Sequence, residues 1–238
     1  MTDRTVEASP IVLARAAGLL YLVIIVCAGF SEGYVRSSLI VPGDAAATAS
    51  NIQASQWLFR VGFASDLIAF LCDLVVAVLF YQLLKPVGRT LSLAAACFRL
   101  LAHPAIASVN LLNHFNALLL LSGADYLRAF STDQLQALVL LSLTTHKYGY
   151  LIGGAFFGLH CLILGYLFFK SDLFPGILGI LLVLASVGYL TESFGNFLFP
   201  QYGPLFAWVV AVPAVIAELS LCLWLLVKGV KKDEEKYS

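Results

Sequence analysis

Six long apolar runs constrain this chain more than any other feature of its sequence. They extend over residues 13–30, 62–84, 91–122, 148–169, 173–194 and 206–227. A helix that crosses about 30 Å of hydrocarbon needs roughly 20 mostly apolar residues, and a backbone in lipid must satisfy its own polar groups. We therefore predict an all-α, polytopic membrane helical bundle with six transmembrane helices. The third run must tilt, kink near Pro104 or extend past the headgroups, because it is too long for one plain crossing.

The composition agrees with one integral membrane domain over residues 1–238. The chain is 61% hydrophobic and only 12% charged, whereas soluble domains are about 25% charged. The formal net charge is zero and the basic residues are not gathered on one soluble face, so no nucleic-acid partner is expected. The five cysteines lie in apolar runs, and we interpret them as small buried hydrophobes.

The basic residues predict the orientation, because cytoplasmic connections are enriched in Lys and Arg. If the chain crosses six times, one side receives the short N-terminus with Arg4 and Arg15, the connection KPVGR, Lys170 and the charged C-terminal tail 228–238. The other side receives only Arg36, Arg60, Arg128 and Lys147. We therefore expect both termini to be cytoplasmic.

Two segments outside the runs predict one or two interfacial helices. Asp44 is placed to cap a helix on the outer surface in GDAAATASNIQASQWLFR. Ser131 and Gln134 have the spacing of a capping box at the start of STDQLQALVLLSLTTHKYG. This second segment predicts an interfacial helix or a lid packed on the bundle. Ordinary extramembrane connections are the alternative for both segments.

Polar groups that lipid would reject interrupt the third run, in FRLLAHPAIASVNLLNHFN. At 100° per residue, five of them fall within an arc of about 100° on one helix face. They are Arg99, His103, Asn110, Asn113 and His114. Because polar residues in a span normally face protein or a water-filled cavity, this stripe predicts one wall of a polar interior.

The other runs supply further ionisable groups. They are Asp66 and Asp73 in the second run, His160 in the fourth, Glu192 in the fifth and Glu218 in the sixth. At about 1.5 Å per residue, Asp73 and Arg99 lie at equal depth from the short KPVGR connection. We expect these two residues to meet near the membrane centre, with His160 and Glu218 at the same level. Asp66, Asn110, Glu192 and His114 form a second layer nearer the outside.

This arrangement favours an outward-opening polar cavity that binds a small polar or amphipathic ligand, such as a lipid headgroup or an organic solute. Asp73 and Arg99 would form the floor of this cavity. Arg99 would bind an anionic group of the ligand when the ligand separates Arg99 from Asp73. The alternative for this pair is a buried ion pair that only fixes helix register. The alternatives for the whole protein are a membrane enzyme that acts on lipid through a histidine or a metal, a small-solute transporter and a structural membrane subunit.

The histidine spacing gives no metal site. His103 and His114 are about 16 Å apart along the helix, too far to share one ion, and the chain has no HExxH motif. We predict neither a metal nor a cofactor, assign no catalytic residue, and leave open whether the protein is an enzyme. The expected partners are membrane lipids and a small-molecule or lipid ligand, with a homodimer if the protein is a transporter.

Several stretches, taken as a set, resemble a known family. They include ARAAGLLYLVIIV, VRSSLIVPGDAAATASNI, WLFRVGFASDLIAFLCDL, FRLLAH, LLLLSGADYL, STDQLQALVLL and FFGLHCLILGYLFFKSDLFPGILGILL. The family is an uncharacterised group of bacterial membrane proteins, domain of unknown function 4386. The resemblance covers residues 14 to about 230. It implies a multi-pass protein of the bacterial inner (cytoplasmic) membrane and supplies no reaction or substrate.

Overall fold

A computed structural model describes residues 9–231 of the chain, and every regular element in that range is helical. The main helices are α1 (Pro10–Ala28), α2 (Ala45–Ala54), α3 (Gln56–Leu100), α4 (Ser108–Leu120), α5 (Thr132–Lys170), α6 (Gly176–Leu198) and α7 (Gly203–Val227). The shorter elements are the π-helical segments Gly29–Arg36 and Leu101–Ala107, the helical turn Ser37–Leu39, and the 3₁₀ turns Asp125–Ala129 and Pro200–Tyr202. The predicted all-α class is confirmed. Arg4 and the tail beyond residue 231 lie outside the described residues.

Within residues 9–231, five helical segments are long and apolar enough to cross a membrane. They are Pro10–Leu39, Gln56–Leu120, Thr132–Lys170, Gly176–Leu198 and Pro200–Val227. This count is one below the predicted six because the second and third apolar runs both fall within Gln56–Leu120, which has 65 residues. A straight helix of that length would extend about 97 Å, three times the hydrocarbon thickness.

The segment Gln56–Leu120 is not straight, because it folds back at Gly88. Gly88 has φ −173° and ψ 96°, which interrupts the helix shortly after Pro86. Beyond this turn the Ser92 hydroxyl donates to the Tyr81 carbonyl oxygen at 3.1 Å. Arg99 also forms an ion pair with Asp73, so the arms 56–87 and 89–100 lie antiparallel and the predicted contact between these two residues is confirmed.

Both π-helical segments lie inside long helical stretches. The segment Leu101–Ala107 contains Pro104, which lacks an N–H and would clash with the carbonyl four residues earlier in a regular helix. A wider π turn relieves this clash, so the irregularity predicted near Pro104 takes that form. The segment Gly29–Arg36 extends the first helix well past the predicted end of its apolar run at Phe30.

The two predicted caps are confirmed. The Asp44 carboxylate accepts the Ala47 N–H at 2.9 Å at the start of α2. The Ser131 hydroxyl accepts the Gln134 N–H at 3.3 Å, and the Gln134 side chain accepts the Ser131 N–H at 2.8 Å. Helix α5 then continues without interruption to Lys170. The predicted interfacial helix or lid is therefore the first part of one long helix.

Helices α5, α6 and α7 pack side by side. Gly165 of α5 and Gly179 of α6 face each other so closely that a Cβ added at Gly165 would lie 2.7 Å from the Gly179 carbonyl oxygen. Small residues at such crossings let two backbones touch. Apolar side chains cover the exterior of the bundle: Val109, Trp208 and Leu223 are at least 60% exposed. An exterior of this kind is compatible with surrounding lipid.

Candidate functional site

The first group of polar side chains inside the bundle is centred on Arg99. We call Asp73, Arg99, His103 and His160 the inner cluster. Arg99 Nη2 donates to Asp73 Oδ1, and Arg99 Nη1 lies 3.1 Å from His160 Nε2. His160 Nδ1 lies 2.8 Å from the Ala95 carbonyl oxygen. Since a carbonyl only accepts, His160 donates from Nδ1 and presents the Nε2 lone pair to Arg99.

His103 is the most exposed member of the inner cluster. Its Nδ1–H donates to Asp73 Oδ2, so one carboxylate holds both His103 and Arg99. The His103 ring stacks on Phe70, with 5.8 Å between the ring centroids. The side chain of His103 is 23% exposed, compared with 1% for Arg99 and Asp73.

Two aromatic rings enclose the Arg99 guanidinium. Its Cζ lies 5.0 Å from the ring centroid of Tyr21 and 5.3 Å from that of Phe157. Such contacts favour a cation over an aromatic face. Its Nε has no hydrogen-bond partner among the described residues. Arg99 is therefore held by one carboxylate, one imidazole and two rings.

The second group lies on the π-helical segment Gly29–Arg36, on the first arm of α3 and on α5. We call Glu32, Arg36, Asp66 and Tyr150 the outer cluster. Arg36 Nη1 lies 2.6 Å from Asp66 Oδ2, and Arg36 Nε lies 2.5 Å from Glu32 Oε2. Arg36 Cζ lies 5.6 Å from the Tyr150 ring centroid. Arg36 and Asp66 are buried, whereas the Glu32 side chain is 74% exposed.

Arg36 is the principal site residue that the sequence reasoning missed. We placed it in the outer connection, because the first apolar run ends at Phe30. The structure buries it instead, so Arg36 and Arg99 are both buried within the described part of the bundle. The signal that was available is the spacing of Glu32 and Arg36: an acidic and a basic residue four apart favour continuation of a helix.

Asn110 and His114 join helices to one another. Asn110 Nδ2 donates to the His146 carbonyl oxygen at 2.7 Å, and His146 Nδ1 donates to the Asn110 carbonyl oxygen at 3.0 Å. This exchange needs Gly149, since a Cβ there would overlap the Asn110 amide. His114 Nε2 donates to the Phe59 carbonyl oxygen at 3.2 Å. The predicted polar stripe thus divides between the inner cluster and these helix contacts.

A cavity of about 860 Å³ connects the two clusters. Its charged and hydrogen-bonding lining residues are Glu32, Arg36, Ser37, Asp66, Asp73, His103, Thr144, His146, Lys147, Tyr148, Tyr150, Tyr189 and Glu192. Phe70, Leu143 and Phe157 are among its apolar lining residues. Along α5 the lining extends from Leu140 to Phe157, which is about 25 Å at the helical rise.

Nine of the polar residues predicted to form the interior, all except Asn113, are the candidates for the cavity lining, and they divide into two sets. Asp66, Asp73, His103 and Glu192 line the cavity. Arg99, Asn110, His114, His160 and Glu218 are not among its lining residues. Arg99 lies behind Asp73, so Asp73 and His103 form the floor that we had assigned to Asp73 and Arg99. Glu218 accepts a hydrogen bond from the hydroxyl of Tyr189, which does line the cavity.

No three His, Cys, Asp or Glu side chains within residues 9–231 are grouped as a metal ion would require. Tyr150, Tyr189 and Lys147 line the cavity and were missed along with Arg36. Tyrosine and lysine near the end of an apolar run are ordinary in membrane helices. The sequence therefore gave no signal that distinguished these three residues.

Comparison with known proteins places this architecture in a family. The model described as "Domain of unknown function (DUF4386)" matches residues 16–229, a range that contains both clusters. The chain belongs to this family. An Archaeoglobus fulgidus protein described as "Uncharacterized protein" is 29% identical over 163 residues, which are 68% of this chain and 80% of that protein. No solved structure matches the chain.

Proposed function

We propose that this DUF4386 protein crosses the membrane six times and binds a small polar or amphipathic ligand in a cavity that opens outward. The support for six crossings is the turn at Gly88, which divides Gln56–Leu120 into two antiparallel stretches. Each stretch is longer than the roughly 20 residues that one crossing needs. The expected membrane is the bacterial inner membrane, with both termini cytoplasmic.

Contacts at one end of the bundle support this orientation. The Lys231 N–H donates to the Leu173 carbonyl oxygen at 2.8 Å, so the C-terminal end of α7 lies beside the connection that follows Lys170. A Cβ added at Gly229 would contact Ile11 and Arg15, so the start of α1 lies there as well. This clustering of basic residues is typical of a cytoplasmic face.

The observation that carries the proposal is the charged lining of the cavity. The pairs Arg36–Asp66 and His103–Asp73 lie in its wall and floor. Taking such groups out of water costs free energy that their mutual attraction offsets only in part. Ionisable residues in membrane helices therefore usually serve a function.

The lining also indicates the class of ligand. Charges of both signs lie close together, beside Phe70, Phe157 and Leu143. His146 donates from Nδ1 to Asn110, and its buried Nε2 has no partner in the described part of the chain. That nitrogen is an acceptor for an incoming N–H or O–H donor. A zwitterionic or amphipathic molecule with at least one donor group fits these features.

A matched pair of threonines tests the cavity. The hydroxyls of Thr144 and Thr145 bond to the carbonyls four residues earlier, at 2.8 and 2.9 Å, and both side chains are exposed. Only Thr144 lines the cavity. Thr144→Trp should therefore obstruct the cavity, and Thr145→Trp should leave it open.

The measurements are native mass spectrometry of the purified protein and thermal shifts with lysophospholipids and zwitterionic organic solutes. We expect a retained small molecule, or stabilisation by one of these compounds, in wild type and Thr145→Trp but not in Thr144→Trp. Equal behaviour of the two variants, or a wild-type protein that retains no molecule and responds to no compound, would refute the proposal.

One observation favours a second function, acid–base catalysis on a lipid. When the neutral His103 ring donates Nδ1–H to Asp73, Nε2 carries the lone pair, and the side chain is partly exposed where it lines the cavity. A carboxylate that orients an imidazole in this way is a common general-base arrangement. Hydrolysis of phospholipid by purified protein in vesicles, lost in His103→Gln, would establish this function; no hydrolysis by wild type would remove it.

A further inference from the structure

A second polar cleft lies at the opposite end of the bundle from the outer cluster. It has a volume of about 1070 Å³. Its charged and hydrogen-bonding lining residues are Ser9, Gln82, Lys85, Tyr166, Lys170, Ser171 and Asp172. Lys85 Nζ donates to Gln82 Oε1 at 2.6 Å, and Lys85 also lines a neighbouring pocket with Arg89. The described lining residues of this space, which we call the basic cleft, include two lysines and one aspartate.

An apolar groove begins beside the basic cleft and continues along α5 and α6. The groove has a volume of about 570 Å³. Its lining residues are Leu91, Leu162, Ile163, Gly165, Tyr166, Phe169, Gly179, Ile180, Val183 and Leu184. Leu91 and Tyr166 line both spaces, so the groove and the basic cleft are continuous. None of the groove residues carries a charge.

We propose that the basic cleft and the apolar groove together form a binding site for one anionic phospholipid. Its phosphate lies between Lys85 and Lys170 in the basic cleft, and one acyl chain lies in the groove along Phe169 and Ile180. Basic pockets between helices on the cytoplasmic side of a membrane attract anionic headgroups. This site is separate from the cavity between the clusters and does not depend on the function proposed for that cavity.

The polar residues of the basic cleft further specify the headgroup. Asp172 and the hydroxyl of Ser171 can accept hydrogen bonds, and Asp172 disfavours a second negative charge beside it. A headgroup with one phosphate and free hydroxyl groups satisfies both the lysines and these acceptors. Phosphatidylglycerol has this composition, whereas phosphatidylcholine has a zwitterionic headgroup with a quaternary ammonium group and no hydroxyl donor.

The continuity of the two spaces argues against a free phosphate ion as the ligand. A free phosphate would use Lys85 and Lys170 and leave the groove empty. A phospholipid can place its headgroup in the basic cleft and its acyl chain in the adjoining apolar groove at the same time. The acyl chain of the phospholipid would also cover the groove, whose residues Leu162, Phe169 and Leu184 are 40–57% exposed.

The test is a native mass spectrometry titration of the full-length protein in detergent with three probes: phosphatidylglycerol, phosphatidylcholine with the same chains, and glycerol 3-phosphate. Wild type should bind phosphatidylglycerol about 25-fold more tightly than phosphatidylcholine, because each of the two lysines near the phosphate contributes about a fivefold gain. The double variant Lys85→Gln/Lys170→Gln should bind the two lipids within about twofold of each other. Lys147→Gln, at the other end of the bundle, should keep the preference.

The groove has its own matched pair of variants. Leu184 lines the groove and Leu223 does not, and both leucines are more than half exposed. Leu184→Trp should weaken binding of both lipids and keep the preference between them, whereas Leu223→Trp should change neither. Equal affinity of wild type for the two lipids would overturn the proposal. Competition by glycerol 3-phosphate as strong as that by phosphatidylglycerol would also overturn it, because the chain would then contribute nothing.

Discussion

Asp73 and His103 are 30 residues apart in the chain and contact each other through Oδ2 and Nδ1, across the turn at Gly88. The same carboxylate accepts from Arg99 through its other oxygen. One buried aspartate therefore connects an enclosed cation to the ring that reaches the cavity. If the first arm of α3 shifted along the stretch that carries Arg99 and His103, the contacts of Asp73 with both residues would break.

The first prediction concerns this aspartate. Asp73→Asn should destabilise the protein by about 3–5 kcal/mol, because it leaves the buried Arg99 charge without a counter-ion. Asp125→Asn is the control, since Asp125 pairs with Arg128 in a pair that is more than 80% exposed. Thermal unfolding in detergent measures both variants. Equal small shifts in the two would show that the buried pair contributes no more than a surface pair.

A double variant separates charge from packing. Asp73→Leu with Arg99→Leu should be more stable than either single variant, because no unpaired charge remains inside the bundle. The coupling energy from the double-mutant cycle should be at least about 2 kcal/mol. Additive effects of the two substitutions would contradict a direct energetic link between these residues.

The two histidines of the inner cluster should differ. His160→Ala should cost about 1–3 kcal/mol of stability, because it leaves Arg99 Nη1 and the Ala95 carbonyl without their partner. His103→Ala should cost less, since its side chain is 23% exposed and water can replace it. Unfolding midpoints of the two variants measure the difference. A larger loss in His103→Ala would contradict the assignment of His103 to the cavity floor.

Glycines provide a test of helix packing. Gly179→Ala should destabilise the bundle by about 1–3 kcal/mol, because its Cβ would enter the α5 backbone at Gly165. Gly88→Ala should have little effect, since its backbone is extended and the nearest atom to an added Cβ is 3.5 Å away. Thermal unfolding measures both. A severe effect of Gly88→Ala would mean that the turn at Gly88 has another conformation.

Topology is tested by labelling in intact cells. Single cysteines introduced by Asp125→Cys and Lys85→Cys, in a chain whose five natural cysteines are replaced, report opposite ends of the bundle. A charged thiol reagent that cannot cross the membrane should label the first from outside and the second only after permeabilisation. Labelling of both from outside would contradict the proposed orientation.

The contact between Asp73 and Arg99 followed from the sequence because two helices joined by a short turn share a common starting depth and a constant rise. Depth alone does not give the rotation of each helix about its axis. That is why Arg99 was placed at the cavity floor although Asp73 lies in front of it, and why Glu218 was placed in the lining although Tyr189 lies between.

The positions of the helix ends were the second feature that could not be predicted from the sequence. The apolar run that ends at Phe30 gave no reason to extend the helix through GFSEGYVR, so Arg36 was assigned to a connection. Likewise, the polar start of STDQLQALVLLSLTTHKYG suggested a separate helix, and only the contacts of α5 with its neighbours show one continuous element. Hydropathy reports where lipid begins, whereas a helix that is packed on protein can continue beyond it.

Both π-helical segments contribute to the cavity lining, Glu32 and Arg36 from the first and His103 from the second. Converting either segment from π to α hydrogen bonding at constant length would turn the helix beyond it, because a π turn contains more residues than an α turn. The two segments therefore set the direction in which Arg36 and His103 face relative to the helix before them.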